Sequence, residues 1–391
     1  MLFIIIIFCI SASCVLYTYI GYPLLLILLS RLFAKKEYTT FSQSSHQPNI
    51  SILLAVYNEE KIIANKIQNI FESDYPSNNI QLLIGSDAST DGTNEIIQQL
   101  QLKFPQIELH IFQNRTGKPE IINQLKQVAT HEILVLTDAK AIFAPNTLSQ
   151  ITNPLTNPKI GLVSAKIINA HTNASGISFQ EKTYFSFEAK LKYYESTVFG
   201  TMMGAFGVGY AIRKSDYYPT PPKFNVDDFY ITMKVLESGK KAILNPQAVC
   251  YQNVSNQIDK EFKRKTRISI GNFQNLNVFA KLLFSKHLSL TFCFFSHKIL
   301  RWFTPFFILL SLITNLFIFQ LNLFFTTTLY IQIALFTLPL LDLLLKQINI
   351  HFRPFRFITH FYTMNLALLY GCYKFLTGVD SNIWEPTTRA D

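Results

Sequence analysis

The stretch that decides the fold is residues 82–93, LLIGSDASTDGT, in which an apolar run passes directly into small and acidic residues. The apolar run predicts a buried strand, and the residues after it predict a turn. Ligands of open α/β sheets bind beyond the carboxyl ends of strands, so Asp87 and Asp91 stand where carboxylates can hold a polar ligand. The same pattern also suits a simple turn in which Asp91 caps the following helix.

Short apolar runs alternate with helical patterns on both sides of this stretch. The predicted strands are residues 50–56, 82–85, 107–112 and 133–137. The predicted helices are one that ends near Phe71, residues 94–103 and residues 119–129. Strands that alternate with helices predict an α/β domain built on a mostly parallel sheet with right-handed crossovers.

Long uncharged stretches flank this domain. Residues 2–30 have no charged side chain and exceed the roughly 20 residues that span a bilayer. Residues 302–341 are equally uncharged, and Gln320-Leu321-Asn322 divides them into two predicted spans. Residues 357–376 are a further candidate span, but Lys374 in this stretch leaves open whether it crosses the membrane. The predicted divisions are a transmembrane helix at 1–34, a soluble domain at 48–268, an interfacial amphipathic segment at 269–297, a region of two to three spans at 298–378 and a polar tail at 379–391.

The charge is unevenly distributed along the chain. The formal net charge is +10, from 35 Lys and Arg against 25 Asp and Glu. Basic residues lie after the first uncharged stretch and before the later ones, at Arg31, Lys35, Lys36, Lys260, Lys263, Arg264, Lys265 and Arg267. This distribution predicts a multi-pass protein of the inner (plasma) membrane whose segment 35–297 is cytoplasmic. It suits membrane lipids and phosphate-bearing ligands, and without a nucleic-acid-binding motif nucleic acid is not an expected partner.

Four separated motifs carry a family resemblance: ILLAVYNE at 52–59, SDASTDGT at 86–93, RTGK at 115–118 and TDAK at 137–140. In order and spacing they resemble the family 2 glycosyltransferases of the GT-A fold. Together with the later spans, they resemble the membrane-integral subset related to cellulose, hyaluronan and poly-N-acetylglucosamine synthases. The resemblance implies an α/β GT-A nucleotide-sugar-binding domain with a mostly parallel mixed sheet, plus N- and C-terminal transmembrane helices.

The same resemblance assigns donor-binding roles to residues of these motifs. Asp87 would accept hydrogen bonds from the nucleobase of a nucleotide sugar, predicted to be a UDP-sugar. Tyr57 and Glu59 would lie around the base and ribose, and Lys118 would lie near the nucleotide. These roles place the donor at the carboxyl ends of the predicted strands.

Asp138 is the residue that the resemblance implies as the ligand of a divalent ion, Mg²⁺ or Mn²⁺, on the diphosphate. Hard cations bound to substrate phosphates take carboxylate oxygens as protein ligands. The family often has a second carboxylate, or an asparagine, where this chain has Lys140. Because a charged lysine cannot ligate a cation, Lys140 either faces away or itself contacts phosphate, and metal dependence is in question.

The acceptor half of the predicted site follows. Residues 203–213, MGAFGVGYAIR, contain Gly204 and Gly207, which suit close approach of backbone to an acceptor or a simple tight turn. The pair Asp227 and Asp228 then precedes a predicted helix and suits either a helix cap or a catalytic role. The resemblance makes Asp228 the base that takes a proton from an acceptor hydroxyl, with Asp227 as its neighbour.

Residues 262–269, FKRKTRIS, occupy the place where processive synthases of the family carry Gln-x-x-Arg-Trp. Arg267 matches the arginine, Arg264 stands in place of the glutamine, and Ile268 replaces the tryptophan. Arg264 and Arg267 are therefore predicted to bind the donor diphosphate, with a solvated basic face at the membrane as the alternative. The missing tryptophan weakens the case for a polymerase of long chains.

The sequence therefore predicts a membrane-bound, inverting glycosyltransferase. It would move a sugar from a nucleotide sugar to a polysaccharide or lipid-linked saccharide in cell-envelope or exopolysaccharide synthesis. The alternative is a catalytically impaired family member that acts as a membrane scaffold or regulatory subunit, or a transporter-like protein with an α/β regulatory domain. Lys140 favours the scaffold, whereas the retained Asp87, Asp138 and Asp228 oppose it.

Overall fold

The computed structural model describes residues 1–38, 47–169, 177–253, 257–348, 350 and 352–378. The predicted polar tail at 379–391 lies outside the described residues. The described chain forms two compact units. The sheet unit comprises residues within 29–171 and 184–254, and the helical unit comprises residues within 1–28, 177–183 and 257–378.

The strands of the described chain all belong to the sheet unit. They are β1 (Ile50–Val56), β2 (Ile80–Asp87), β3 (Ile107–Phe112), β4 (Ile133–Thr137), β5 (Ile142–Phe143), β6 (Ile160–Asn169), β7 (Gly209–Arg213) and β8 (Lys241–Gln252).

The α-helices of the described chain are distributed over both units. They are α1 (Leu2–Leu16), α2 (Tyr22–Phe33), α3 (Ile63–Phe71), α4 (Thr93–Lys103), α5 (Lys118–Val128), α6 (Thr147–Thr152), α7 (Ser178–Phe199), α8 (Asp227–Glu237), α9 (Ile258–Phe279), α10 (Leu288–Cys293), α11 (Leu300–Ile318), α12 (Leu323–Gln347) and α13 (Arg353–Thr377).

One mixed sheet organises the sheet unit, with strand order β3-β2-β1-β4-β7-β6-β8-β5. β1 pairs in parallel with β2 and with β4, and β2 pairs in parallel with β3. β7 lies between β4 and β6 and is antiparallel to both. The predicted α/β fold with a mostly parallel mixed sheet is confirmed, and the antiparallel β7 is the part that the strand–helix alternation did not predict.

The four predicted strands all form, and their apolar runs are most completely covered in β1 and β2, in the interior of the sheet. Every residue of β1 and β2 is buried, as expected for parallel strands that lie between layers of helices. Gly85 lies inside β2 because α5 packs directly over it, and a Cβ at this position would overlap the side chain of Ile121. α5 begins at Lys118, directly after Gly117, whose φ of 88° lies outside the helical region.

The parallel pairing places three strand ends at one edge of the sheet. β1, β2 and β4 run in the same direction, and Leu54 of β1 is in register with Thr137 of β4. Tyr57 follows β1, Asp87 is the last residue of β2, and Asp138 follows β4. The motifs that carry the family resemblance therefore meet at the carboxyl edge of the sheet, where α/β proteins bind ligands.

The helical unit contains the apolar helices that the sequence predicts. Leu2–Phe33, Leu288–Leu321 and Leu323–Gln347 are the described helices long and apolar enough to cross a membrane. Asn322 ends the turn between the last two, and its side chain accepts a hydrogen bond from the Phe325 backbone N–H at 3.2 Å, which caps α12. The predicted apolar helices at the N-terminus and in the C-terminal region are confirmed as candidate membrane spans, whereas α13 is not among them.

Candidate active site

Asp87 is buried and uses both carboxylate oxygens to hold the loop before α5. Its Oδ1 accepts hydrogen bonds from the backbone N–H of Thr116 at 2.6 Å and from the Thr116 hydroxyl at 3.2 Å. Its Oδ2 accepts hydrogen bonds from Arg115 Nε at 3.0 Å and from the Gly117 backbone N–H at 3.2 Å. Asp87 therefore positions the loop that leads to Lys118, and its predicted contact with the nucleobase stays a prediction.

Arg115 is a site residue that the sequence reasoning missed. Its guanidinium carbon lies 3.3 Å from the centroid of the Tyr57 ring, while its Nε pairs with Asp87. A guanidinium stacked on an aromatic ring gains cation–π attraction and forms a flat polar surface. The signal was present, because Arg115 opens the same RTGK motif that contains Lys118.

Glu59 and Lys140 face each other across the ends of neighbouring strands. Lys140 Nζ lies 3.6 Å from Glu59 Oε1. Burial raises the pKa of Glu59, and the charge of Lys140 opposes that rise. Lys140 therefore points toward a predicted donor-binding residue rather than away from the site.

Lys118 connects the two halves of the predicted site. Its Nζ lies 2.7 Å from Asp138 Oδ1 and 3.9 Å from Asp227 Oδ2. Burial by itself would lower the pKa of Lys118, but the charges of Asp138 and Asp227 outweigh it and raise the pKa above its ordinary value. The ammonium group is therefore held charged between a carboxylate at the sheet edge and the acid pair that begins α8.

The residues around Asp138 do not fit a protein-held divalent cation. Mg²⁺ at phosphates needs one or two carboxylate ligands, and here the carboxylate that directly follows β4 already accepts a hydrogen bond from Lys118. The second position of the motif carries the ammonium group of Lys140 instead of an oxygen.

Asp227 and Asp228 form the first turn of α8. Asp228 Oδ1 accepts a hydrogen bond from the Phe229 backbone N–H at 2.7 Å. Burial, followed by the charge of Asp227, raises the pKa of Asp228 to about 6, although Lys118 and Lys192 pull it down. A carboxylate with a raised pKa near neutrality is suited to accept a proton from a hydroxyl.

Gly204 and Gly207 lie in the loop that packs against the start of α8. Gly204 has a φ of +84°, and a Cβ at this position would lie 2.7 Å from Phe229 Cδ2. A Cβ on Gly207 would lie 3.0 Å from Asp228 Oδ2. Both glycines therefore let backbone approach the acid pair closely, and their predicted contact with an acceptor stays a prediction.

We expect Gly207→Ala to lower glycosyl transfer by about tenfold or more, because the new methyl group must displace the Asp228 carboxylate and small misplacements of reacting groups are costly. Nucleotide binding and the thermal unfolding midpoint should change little, since the backbone of Gly207 is compatible with alanine. Kinetics of the purified variant test this. Unchanged transfer would show that the Asp228 side chain is not held at a critical position by this loop.

Tyr210 is a second residue that the sequence reasoning did not single out. It lies on β7, and its buried hydroxyl has no hydrogen-bond partner among the described residues. Burial raises the pKa of Tyr210, and the charge of Asp227 adds to that rise. Oδ2 of Asp227 is likewise buried without a hydrogen bond within the described chain. These two atoms are therefore candidates for contacts with a bound substrate.

Arg264 and Arg267 belong to α9 of the helical unit. Arg264 Nε lies 2.9 Å from Glu261 Oε2, and its Nη2 lies 3.2 Å from Glu181 Oε2. Lys265 and His360 also contact Glu181, at 3.6 Å and 2.6 Å. Arg264 therefore takes part in an ion-pair cluster inside the helical unit, and donor binding by Arg264 and Arg267 stays a prediction.

Residues 15–351 match the family model described as "Glycosyl transferase family 21". The chain belongs to this family. The match confirms the resemblance to glycosyltransferases that the four motifs carry. The scaffold alternative receives no support from it.

The curated relatives of this family 21 protein are glycosyltransferases, and each of them matches this chain over only part of its own length. The β-monoglucosyldiacylglycerol synthase of Nostoc sp. is 29% identical over 149 residues, which are 37% of this chain and 32% of that protein. The poly-β-1,6-N-acetyl-D-glucosamine synthase of Staphylococcus epidermidis is 25% identical over 245 residues, 60% of this chain and 57% of that protein. The chain thus spans about a third of the length of the first relative and somewhat over half of the length of the second.

A solved structure shares the fold over nearly the whole chain. It is a mannosyltransferase from Pyrobaculum calidifontis in complex with GDP-Man and Mn²⁺, with 22% sequence identity and a TM-score of 0.70. The likeness covers 95% of this chain and 99% of that one. It confirms the predicted GT-A fold together with its helical additions.

Proposed function

We propose that this family 21 protein is a membrane-bound glycosyltransferase that moves a sugar from a nucleotide sugar to an acceptor at the membrane. The observation that carries the proposal is the position of Lys118, 2.7 Å from Asp138 and 3.9 Å from Asp227. One ammonium group thereby joins the predicted donor end of the site to the predicted acid pair of the acceptor end. Donor and acceptor chemistry would then take place within reach of a single side chain.

The proposed mechanism is a direct displacement with inversion at the anomeric carbon. Asp228 takes the proton of an acceptor hydroxyl, whose oxygen forms a bond to the anomeric carbon. The bond from that carbon to the diphosphate breaks, and its electron pair stays on the departing phosphate oxygen. Lys118 stabilises the negative charge that develops there, because a preorganised ammonium group costs no reorganisation during the reaction.

The acceptor is proposed to be a lipid or lipid-linked saccharide rather than a long polysaccharide. The names of the relatives include both a glucosyldiacylglycerol synthase and a polysaccharide synthase. Ile268 stands where processive synthases carry tryptophan, which favours single transfer. The proposed donor is a UDP-sugar, and GDP-mannose is included among the tests because the solved relative binds it.

A transfer assay with a panel of donors tests the proposal. The full chain in lipid nanodiscs would be incubated with membrane lipid extract and radiolabelled UDP-glucose, UDP-N-acetylglucosamine or GDP-mannose. We expect label from one of these donors to move into the organic-solvent extract. If every donor leaves the extract unlabelled while binding to the protein, the proposed transfer is wrong.

The predicted role of Asp138 as a ligand of Mg²⁺ or Mn²⁺ stays a prediction. The solved structure that shares the fold contains Mn²⁺, whereas the ammonium groups of Lys118 and Lys140 in this chain do not fit a cation beside Asp138. The pairing of Asp138 with Lys118 gives this carboxylate a second role, that of holding the ammonium group in place. Both roles require the charge of Asp138.

The sheet unit is proposed to face the cytoplasm, where nucleotide sugars are made. Cys250 is buried and cannot report on this, whereas Leu102 on α4 is 90% exposed. We expect Leu102→Cys to react with a membrane-impermeant maleimide only after cells are opened. Leu321→Cys, in the turn before α12, is the matched control that should react in intact cells. Labelling of Leu102→Cys in intact cells would reverse the proposed topology.

A further inference from the structure

Two lysines pair with carboxylates at the sheet edge that includes Asp138, the residue that the family resemblance implies as a metal ligand. Lys118 Nζ lies 2.7 Å from Asp138 Oδ1, and Lys140 Nζ lies 3.6 Å from Glu59 Oε1. Their side chains are 23% and 24% exposed, so each remains accessible to a ligand. The site therefore combines two carboxylates with two ammonium groups.

The fold brings both ammonium groups to the same edge of the sheet. β1 and β4 are neighbours in parallel register, so Glu59 and Lys140 each follow the carboxyl end of an adjacent strand by three residues. Lys118 is the first residue of α5, which packs against β1 and β2. By the proposed function this edge receives the diphosphate of the donor.

We propose that Lys118 and Lys140 bind the donor diphosphate and supply the positive charge that a divalent ion supplies in metal-dependent relatives. Nucleotide binding by this protein then does not require Mg²⁺ or Mn²⁺. This inference rests on the proposed nucleotide-sugar donor. It extends the proposed function by assigning Lys140 as a phosphate-binding residue and by removing the need for the ion.

The charge balance of the site supports this assignment. The diphosphate of a nucleotide sugar carries two negative charges and gains a third as it departs, and two ammonium groups offset most of this charge. Each ammonium group has three N–H donors, so Lys118 can keep its hydrogen bond to Asp138 while donating to phosphate. A divalent ion on Asp138 would instead be placed beside Lys118, where like charges repel.

Asp138 and Glu59 then act as positioning residues for the two lysines. A lysine side chain is long and loses rotamer freedom when it binds, so a carboxylate that already orients it lowers the entropic cost. The sequence at 138–140 thus retains the first carboxylate of the family motif, Asp138, which here orients a lysine instead of binding a metal ion. Lys140→Asp restores the second carboxylate of the motif and should make nucleotide binding depend on a metal ion.

Equilibrium dialysis of radiolabelled UDP and GDP against the full chain in nanodiscs tests the inference, with metal-free buffer plus EDTA compared with buffer plus Mn²⁺. For the wild type, we expect the dissociation constant of the better nucleotide to change less than about threefold between the two buffers. Lys140→Met should bind about tenfold or more weakly in both buffers, the usual effect of losing a charge-assisted contact. Lys140→Asp should bind only with Mn²⁺.

Lys103→Asp is the matched control, because it makes the same change of charge at an exposed residue that ends α4, near the start of β3 and away from the carboxyl ends of the strands. The Lys103→Asp variant should bind the nucleotide as tightly as the wild type does in both buffers. The inference is overturned if wild-type binding is lost in EDTA and recovered by Mn²⁺, or if Lys140→Met binds as tightly as the wild type. If neither nucleotide binds in either buffer, the proposed donor is wrong, and the inference falls with it.

Discussion

Asp228→Asn is expected to lower glycosyl transfer by about 100-fold or more, which is the usual contribution of a positioned general base. Asparagine keeps the size of the side chain and can still accept the hydrogen bond from the Phe229 N–H. It cannot take a proton from an acceptor hydroxyl. Nucleotide binding should stay near the wild-type value, since the loss falls on the chemical step.

The pH profile separates this role from a structural one. Burial and the charge of Asp227 raise the pKa of Asp228 to about 6 in the folded protein. Asp228 must be deprotonated to act as a base, so kcat/KM should be constant above that pH and fall by about tenfold per unit below it. In Asp228→Asn this acidic limb should disappear from the residual activity.

Asp227→Asn is the matched control for this assignment. Asp227 shares the first turn of α8 but is linked to Lys118, so its loss should reduce transfer less than the loss of Asp228. If Asp227→Asn abolished transfer while Asp228→Asn retained it, the base would be Asp227. If both variants turned over normally, the pair would be a helix cap and nothing more.

Asp87→Asn is expected to weaken nucleotide binding by about tenfold or more. In the variant, one of the N–H groups that now donate to the Asp87 carboxylate would face the amide NH₂ group instead. Each buried donor left without an acceptor costs about 1–3 kcal/mol. The loop at 115–117 would lose its anchor, and Lys118 and Arg115 would lose their fixed positions. Equilibrium dialysis with labelled UDP or GDP measures the change.

Asp91→Asn is the control for Asp87, since both acids lie in the same motif. Asp91 accepts hydrogen bonds from Thr93 within the turn and from the Glu60 backbone N–H, and it does not hold the loop at 115–117. Its replacement should have a smaller effect on nucleotide binding. Equal losses in the two variants would mean that Asp87 acts only through the general stability of the turn.

The local part of the fold was predictable from the sequence. The bounds of β1, β3 and β4 follow from apolar runs that any buried strand needs, and the observed strands start and end as predicted. β2 is longer than predicted because Ser86 and Asp87 continue the ladder with β1 and β3. The antiparallel β7 was not predictable in this way, since its place between β4 and β6 depends on pairing between distant segments.

The candidate site shows the same division between local and long-range information. The strand pattern placed Asp87 and Asp138 at one edge of the sheet, because strand ends of a parallel sheet share an edge, and the family resemblance implied that Lys118 lies near the nucleotide there. The partners of each side chain depend on how the loops fold over that edge. The bonds of Asp87 to the loop at 115–117 and the stacking of Arg115 on Tyr57 are of this kind.

The central claim is that this protein transfers a sugar from a nucleotide donor by base catalysis at Asp228. The most direct test is single-turnover transfer by the full chain in nanodiscs, with the radiolabelled nucleotide sugar that the donor panel identifies and membrane lipid extract as acceptor. We expect labelled lipid product from the wild type and about 100-fold slower product formation from Asp228→Asn at equal donor occupancy. Equal rates from the two proteins, or bound donor that yields no product in the wild type, would contradict it.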